Sequence, residues 1–388
     1  MERKRVVVLG GGYAGILAAQ RIAGRAPPGT EVVLVSDRPH FTERIRLHQR
    51  VAGAAPHRVP LRHLVERAGV KLAIGRVEGI DRMAGAIHLH DGTLAYDFAL
   101  LALGSATDWE RVPGAAEHAL SPCDEDAAEA LAAHVARGDP GPLVVIGGGL
   151  TAVETAAELA ERGRAIDLVT AGPVLPDHTD GARRYAVEVL RRLGVRIVEH
   201  ARVEAIERDA VHLADGRAIP GRAIWCGGFV PSPIGGDAGL RTAPGGQVLV
   251  DATLRTASDP RLFAAGDVAR VEGMPWLRMS CAAAMPMGAH AAASILAALW
   301  GRAPEPFRFA WYAQALSLGR RRGLVQRTDP WDRPLARYYG GRMAALIKEQ
   351  ICRLPLRALR WEQRFPGLFR WPRSPLPVRP ALEEGLSL

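Results

Sequence analysis

The chain uses one local device twice in its 388 residues, and that repetition limits what it can fold into. Near the start, Arg5-Val-Val-Val-Leu9 is short, apolar and β-branched. It ends in Gly10-Gly-Gly-Tyr-Ala-Gly15, and an alanine-rich stretch runs on to Ile22. The same order returns at Pro142-Leu-Val-Val-Ile146, followed by Gly147-Gly-Gly-Leu-Thr-Ala152-Val-Glu154. Each copy reads as a buried parallel strand, a tight glycine turn and a helix. The spacing is G-x-G-x-x-G at Gly10, Gly12 and Gly15, and G-x-G-x-x-A at Gly147, Gly149 and Ala152. The first small residue allows the tight turn. The second lets the backbone approach a pyrophosphate, and the third lets helix and strand pack closely. The helix N-terminus then offers free N–H groups and the positive end of its dipole to phosphate. The expected fold is α/β: two Rossmann-like dinucleotide-binding domains with three-layer ββα-type sheets, plus a basic C-terminal segment.

The remaining elements fall between these landmarks. Glu31 to Val35 reads as the second strand of the first unit, followed by Ser36-Asp37-Arg38. A residue about 20 positions after the glycine turn normally accepts the ribose hydroxyls, and it is usually acidic. Ser36 holds that place and Asp37 comes one step later. The polar run Glu43 to Gln49, with Arg44 in it, reads either as a solvated helix face or as a cover over a cofactor. Residues 70–103 alternate, with Asp91-Gly92 as a hairpin turn, and Phe98 to Leu103 is a buried strand ending at Gly104-Ser105. Ile166 to Thr170 closes the second unit without a ribose-reading acid, so NADH and NADPH are not distinguished. Cys226 sits on another strand and reads as packed. Gly266-Asp267 ends a strand that begins near Arg261, where a carboxylate suits a polyol chain. Cys281, Met285 and Met287 open an alanine-rich helix, either lining a pocket or filling the core. The expected division is 1–115 and 241–300 for one dinucleotide domain, 116–240 for the other, and 301–388 for a terminal segment.

Cys123, Cys226, Cys281 and Cys352 form no C-x-x-C, so neither a metal site nor a redox dithiol is expected, and a reducing cytosol fits. The apolar N-terminal run is a strand rather than a signal peptide or membrane span. Charge is unevenly placed: residues 301–388 hold 17 Lys/Arg against 7 Asp/Glu, which accounts for the whole basic excess. A hairpin with a basic turn at Arg320-Arg321-Arg322 is expected there. Met343, Leu346, Ile347, Ile351 and Leu354 follow helical spacing, and Pro355 is expected to interrupt it. Residues 340–373 therefore read as a basic amphipathic segment for an anionic membrane surface, or as a helix packed on the body or on a second subunit, so a homodimer stays open. Nucleic acid is not expected, because no binding module accompanies the charge.

Gly10-x-Gly12-x-x-Gly15, Leu101-Ala102-Leu-Gly104-Ser105, Gly147-x-Gly149-x-x-Ala152-Val-Glu154 and Ala265-Gly266-Asp267 occur in the order seen in two-dinucleotide flavoproteins. Over residues 1–300 the chain resembles the pyridine nucleotide-disulfide oxidoreductase superfamily. Lacking a dithiol, it is similar to the branch of type II NADH:quinone oxidoreductases and apoptosis-inducing-factor-like flavoproteins. The resemblance implies FAD and NAD(P)H. It implies that Gly10, Gly12, Tyr13, Ala14 and Gly15 hold FAD, with Ser36, Asp37 and Arg38 near the ribose and Arg44 over the cofactor. Val77 would meet the adenine through its backbone, with Ala102, Gly104 and Met285 also along the cofactor. Gly266 and Asp267 would take the ribityl-phosphate side. Gly147, Gly149 and Ala152 would hold NAD(P)H, and Glu154 would be the catalytic carboxylate beside the flavin. Type II enzymes often carry A-Q-x-A-x-Q before the long helix, where this chain has Cys281-Ala-Ala-Ala-Met-Pro-Met. The expected activity is hydride transfer from NAD(P)H to FAD, then two electrons to a quinone or similar small acceptor. An FAD dehydrogenase or oxidase of a specialised metabolite is one alternative. A flavoprotein whose redox state controls a partner through the basic tail is another. The expected location is cytoplasmic, peripheral on the inner face of the membrane.

Overall fold

The computed structural model describes residues 3–374, apart from 57, 139 and 140. Val6, Val7, Val8 and Leu9 are fully buried, as a strand covered on both faces must be. They sit at the centre of a five-stranded parallel sheet in the order Leu262–Ala264, Phe98–Leu101, Arg5–Leu9, Glu31–Ser36, Lys71–Ile74. Leu9 is therefore flanked by Val35 on one side and Leu101 on the other. The chain leaves this strand where the strand order reverses, the position at which open α/β sheets bind ligands. The expected antiparallel layer is a three-stranded meander, Val77–Asp81, Ala86–Leu89 and Gly92–Ala95. Lys71–Ile74 joins the parallel sheet rather than this layer.

Helix α1 (Tyr13–Ala23) follows the first glycine turn and is buried from Tyr13 to Ile22. The second unit repeats the plan. Four parallel strands stand in the order Arg196–Val198, Ile166–Val169, Leu143–Ile146, Arg222–Trp225, with the antiparallel strands Val203–Ile206, Ala210–Leu213 and Ala218–Pro220 beside them. Its glycine turn leads into helix α2 (Leu150–Glu161).

Helix α3 (Cys281–Leu299) packs on α1 so closely that only glycine fits at position 288. A Cβ there would lie 2.3 Å from the Ala14 carbonyl oxygen. By length and hydropathy α3 is apolar enough to cross a membrane, but most of it is buried inside the protein, as a core helix is.

The terminal part forms the expected hairpin and one further strand: Ala313–Ser317, Gly323–Thr328 and Pro334–Gly340, all antiparallel. Helix α4 (Gly341–Glu362) then packs on this sheet and on α1. It runs straight through Pro355, against expectation. The proline removes one main-chain hydrogen bond, a defect of about 3 kcal/mol in a free helix. Here its ring is buried on the inner face with Ala344, Lys348, Cys352, Ala358 and Leu359, and tertiary packing holds the helix together. At the end of α4, the fully buried Glu362 takes the Arg21 guanidinium from α1 at 2.6 Å and also accepts the N–H groups of Gly367 and Phe369.

Candidate functional site

Three segments distant in sequence converge at the first glycine turn. Gly10 has φ +114°, and a Cβ on it would strike the Ala102 carbonyl oxygen at 2.3 Å. A Cβ on Gly15 would lie 1.9 Å from the Gly10 oxygen, so both glycines are required by close approach. Gly266, with φ +79°, lies against Ala14 of α1 and Ala284 of α3. The Ser105 hydroxyl, one residue past Gly104, donates to Asp267 at 2.7 Å. Tyr13 is buried edge-on against Phe41, and Met285 is buried in α3. Val77 starts the meander, opposite Leu89.

The two glycine turns share a telling feature. Gly12 and Gly149 are the N-caps of α1 and α2, and neither helix has a side-chain cap. A Cβ at either glycine would meet nothing within 4 Å. The helices starting after Asp124, Thr179 and Ser280 are capped by those side chains instead. Uncapped N–H groups facing open space suit a phosphate. The residues present therefore fit two dinucleotides, FAD at Gly10–Gly15 and NAD(P)H at Gly147–Ala152.

The ribose corner is arranged differently from the simplest pattern. The Ser36 hydroxyl lies under Gly11 and accepts the Arg38 N–H at 3.3 Å, while Asp37 is exposed. The Arg38 side chain turns away to Asp126 and Glu125 on a neighbouring helix. Asp126 and the adjacent carboxylates hold its guanidinium above its ordinary range against the cost of burial. Arg44 is fixed over the Phe229 ring and donates to the carbonyls of Ser105 and Cys123, each at 2.9 Å. The run Glu43–Gln49 is not a solvated face: Glu43, Arg46, Leu47, His48 and Gln49 are buried.

A cleft opens at the N-terminus of α2, lined by Gly149 to Ala152, Leu175, His178, Cys226, Arg278 and Gln314. Arg278 stacks 4.5 Å over the Trp311 ring and pairs with Asp332, to which Gln314 also donates. His178 is buried, with no hydrogen-bond partner for either ring nitrogen among the described residues. Burial pushes it down to about 4, so it is neutral. The Cys226 thiol, half-buried on the cleft wall just past the strand Arg222–Trp225, is held well above its ordinary range by its hydrogen bond with Cys123 and by burial, so it is protonated.

One turn into α2, Glu154 heads a buried cluster. Its Oε1 takes Lys348 Nζ from α4 at 2.9 Å and the Ser317 N–H at 2.9 Å. Its Oε2 lies 3.9 Å from His48 Nδ1. The Ser317 hydroxyl stands between them, 3.3 Å from Glu154 and 3.4 Å from His48 Nε2. Burial alone would raise the Glu154 carboxyl, but Lys348, His48 and the Ser317 N–H outweigh it and hold the group below its ordinary range. Burial likewise opposes the Lys348 ammonium, and Glu154 keeps it charged. Burial pushes His48 down to about 4, so the imidazole is neutral. Glu154 is legible from its place after the glycine turn, whereas Lys348, His48 as its partner, and Ser317 are not. One signal was present: Lys348 is the only lysine after Lys71, and it falls on the four-residue spacing Ala344, Lys348, Cys352.

Residues 4–294 match the pyridine nucleotide-disulphide oxidoreductase family. The chain is 33% identical over 358 residues to an NADH dehydrogenase-like protein of Mycobacterium tuberculosis, covering 85% of this chain and 88% of that protein. It is 25% identical over 388 residues to a type II NADH:quinone oxidoreductase of Staphylococcus epidermidis, covering 90% and 94%. Its fold is similar to that of NDH2 from Plasmodium falciparum, solved in complex with NADH. The TM-score is 0.77 at 14% identity, over 94% of this chain and 99% of that one. The chain, with its two glycine turns, belongs to the pyridine nucleotide-disulphide oxidoreductase family and is an FAD-dependent NAD(P)H oxidoreductase.

Proposed function

We propose that this oxidoreductase delivers electrons to a quinone at a membrane surface. The observation that carries the reading is the double role of α4. Its inner face brings Lys348 to Glu154. Its outer face and the turn after it expose Met343, Leu346, Leu354, Trp361 and Phe365 among Arg342, Arg353, Arg357, Arg360 and Arg364. Such a face suits the interface of an anionic bilayer. A quinone is a flat lipophilic molecule that resides in the bilayer, so one helix would join the acceptor's reservoir to the buried carboxylate. The relatives named as type II NADH:quinone oxidoreductases support the same reading.

FAD, when bound, supplies hydride acceptance and two-electron delivery. The chain's own residues do the rest. The α1 and α2 N-termini hold the two pyrophosphates through Gly12 and Gly149. Glu154, ionised at neutral pH, leaves Oε2 to accept and return a proton, because Lys348 and Ser317 occupy Oε1. Neutral His48 stands 3.9 Å from that oxygen.

Gly149→Val fills the open space at the α2 N-cap. We expect FAD absorbance to be retained and the KM for NAD(P)H to rise by roughly tenfold or more. Unchanged kinetics would remove the nucleotide from that turn. Anaerobic bleaching by NADH and NADPH, followed by a panel of quinones, tests the acceptor; a bleached flavin that no quinone reoxidises would overturn the proposal. Replacing Trp361 and Phe365 with Glu is expected to abolish cosedimentation with phosphatidylglycerol vesicles while leaving turnover of a water-soluble quinone intact. Equal sedimentation of both forms would exclude α4 as the contact.

A further inference from the structure

One stripe of α2 carries three carboxylates, Glu154, Glu158 and Glu161, spaced four and three residues apart and hence stacked along the helix. The stripe runs outward from the buried cluster: Glu154 and Glu158 are buried and Glu161 is exposed. The hairpin after Ala313–Ser317 lies over it and touches every rung. The Ser317 N–H donates to Glu154 at 2.9 Å, Arg320 Nε to Glu158 Oε2 at 3.1 Å, and the Arg320 N–H to Glu161 Oε2 at 2.6 Å. Gly319, with φ +77°, permits the last approach, since a Cβ there would lie 2.9 Å from the Glu161 carboxylate.

Like charges at this spacing repel along a helix, and the hairpin and Lys348 offset that repulsion at each rung. Glu158 is left half-satisfied: Oε1 is buried without a hydrogen-bond partner among the described residues. A carboxyl in that state is best accommodated with a proton. Burial pushes Glu158 up to about 7 against the pull of Arg320, with Glu161 and Glu154 adding to the rise. The charged and titratable groups around the stripe are Arg320 from the hairpin, Glu154 and Glu161 from α2, His48 from the helix packed across it, and Lys348 from α4.

The proposed reaction needs a proton from solvent. NAD(P)H brings two electrons and one proton, and a quinol requires two of each: NAD(P)H + H⁺ + quinone gives NAD(P)⁺ + quinol. We propose that Glu158 passes this second proton from the solvent side at Glu161 to Glu154, acting through Glu154 and never on the acceptor itself. The inference rests on the quinone reading of the site. Arg320 holds Glu158 Oε2 in place and leaves Oε1 to exchange the proton.

The test measures the two half-reactions of the holoenzyme separately by anaerobic stopped flow. Flavin reduction by NADH and reoxidation by a short-chain quinone are each followed from about pH 5 to about pH 9. Glu158→Gln is expected to leave reduction unchanged and to slow reoxidation by roughly tenfold or more. The fall in reoxidation rate as wild-type Glu158 ionises above neutrality should also vanish. Glu158→Asp should recover part of the rate and restore the pH limb, which a packing role would not do. Infrared spectra should show a buried protonated carboxyl at neutral pH that disappears in Glu158→Gln. An unchanged reoxidation profile in Glu158→Gln, or a carboxyl band that survives the substitution, overturns the relay alone. A wild type that reduces no quinone overturns the function and the relay together.

Discussion

Replacing Lys348 with Met is expected to destabilise the protein by about 3–5 kcal/mol at neutral pH. The methionine keeps most of the side-chain volume but removes the ammonium paired with Glu154 at 2.9 Å. Glu154 is then a buried carboxylate held by Ser317 alone, with a neutral imidazole 3.9 Å away. The pH dependence carries the sign of the effect. In the wild type the Glu154 pKa lies below its unfolded value, so its contribution is present above about pH 4.5 and is lost as pH falls through the folded pKa. In Lys348→Met the folded pKa rises above the unfolded one, so the variant regains stability on acidification where the wild type loses it. The gap between the two should narrow from neutral to acidic pH in denaturant titrations. Adding Glu154→Gln to Lys348→Met should recover most of the lost stability, because the isolated charge is what costs. A double variant no better than the single one would show that the pair is not the source. Acceptor turnover should fall in both, since the single variant raises the Glu154 pKa and the double variant removes the carboxylate.

Mild acid is expected to weaken the fold over a wider window. Burial pushes His48, His178 and His290 each down to about 4. Their folded pKa values lie below the ordinary 6.5, so the unfolded chain takes up protons first. The stability they allow is complete above about pH 6.5 and is lost as pH falls toward about 4, by about 3 kcal/mol each. Glu158 acts in the opposite direction. Its pKa is raised to about 7, so acidification relieves an ionised buried carboxylate and offsets roughly one histidine. The net loss is about 6 kcal/mol as an upper bound, comparable with the whole stability of many domains. Denaturant midpoints taken from about pH 8 to about pH 4 should drop steeply below about pH 6.5, and His178→Phe should flatten the slope by roughly half. A midpoint independent of pH across that window would contradict the burial of these imidazoles.

What could be read in the chain alone follows a physical division. Gly10 to Gly15 and Gly147 to Ala152 were legible because strand, turn and helix are local, and Gly10, Gly15 and Gly147 answer a contact a few residues away or on a fixed neighbouring strand. Glu154 came with its turn. Lys348, His48 and Ser317 were not legible, because their role exists only once α4, the 47–51 helix and the hairpin meet on α2. Arg38 shows the same limit from the other side. It stands beside the ribose corner in sequence, yet Glu125 and Asp126 draw it away in space. Pro355 was misread because helix propensity is local, whereas its ring is buried by contacts that no local pattern records.

The missing side-chain caps at Gly12 and Gly149 have a consequence for the life of the protein before it is loaded. Helices α1 and α2 each begin with donors that no capping side chain satisfies. A newly made chain therefore has two loose starts at the hearts of its two sheets. Loading links folding to cofactor supply: a ligand at a hundred times its dissociation constant adds about 2.7 kcal/mol to the native state. Chains made faster than flavin dinucleotide is provided would be the first to meet proteases, so the amount of enzyme would follow the cofactor pool as well as the rate of synthesis.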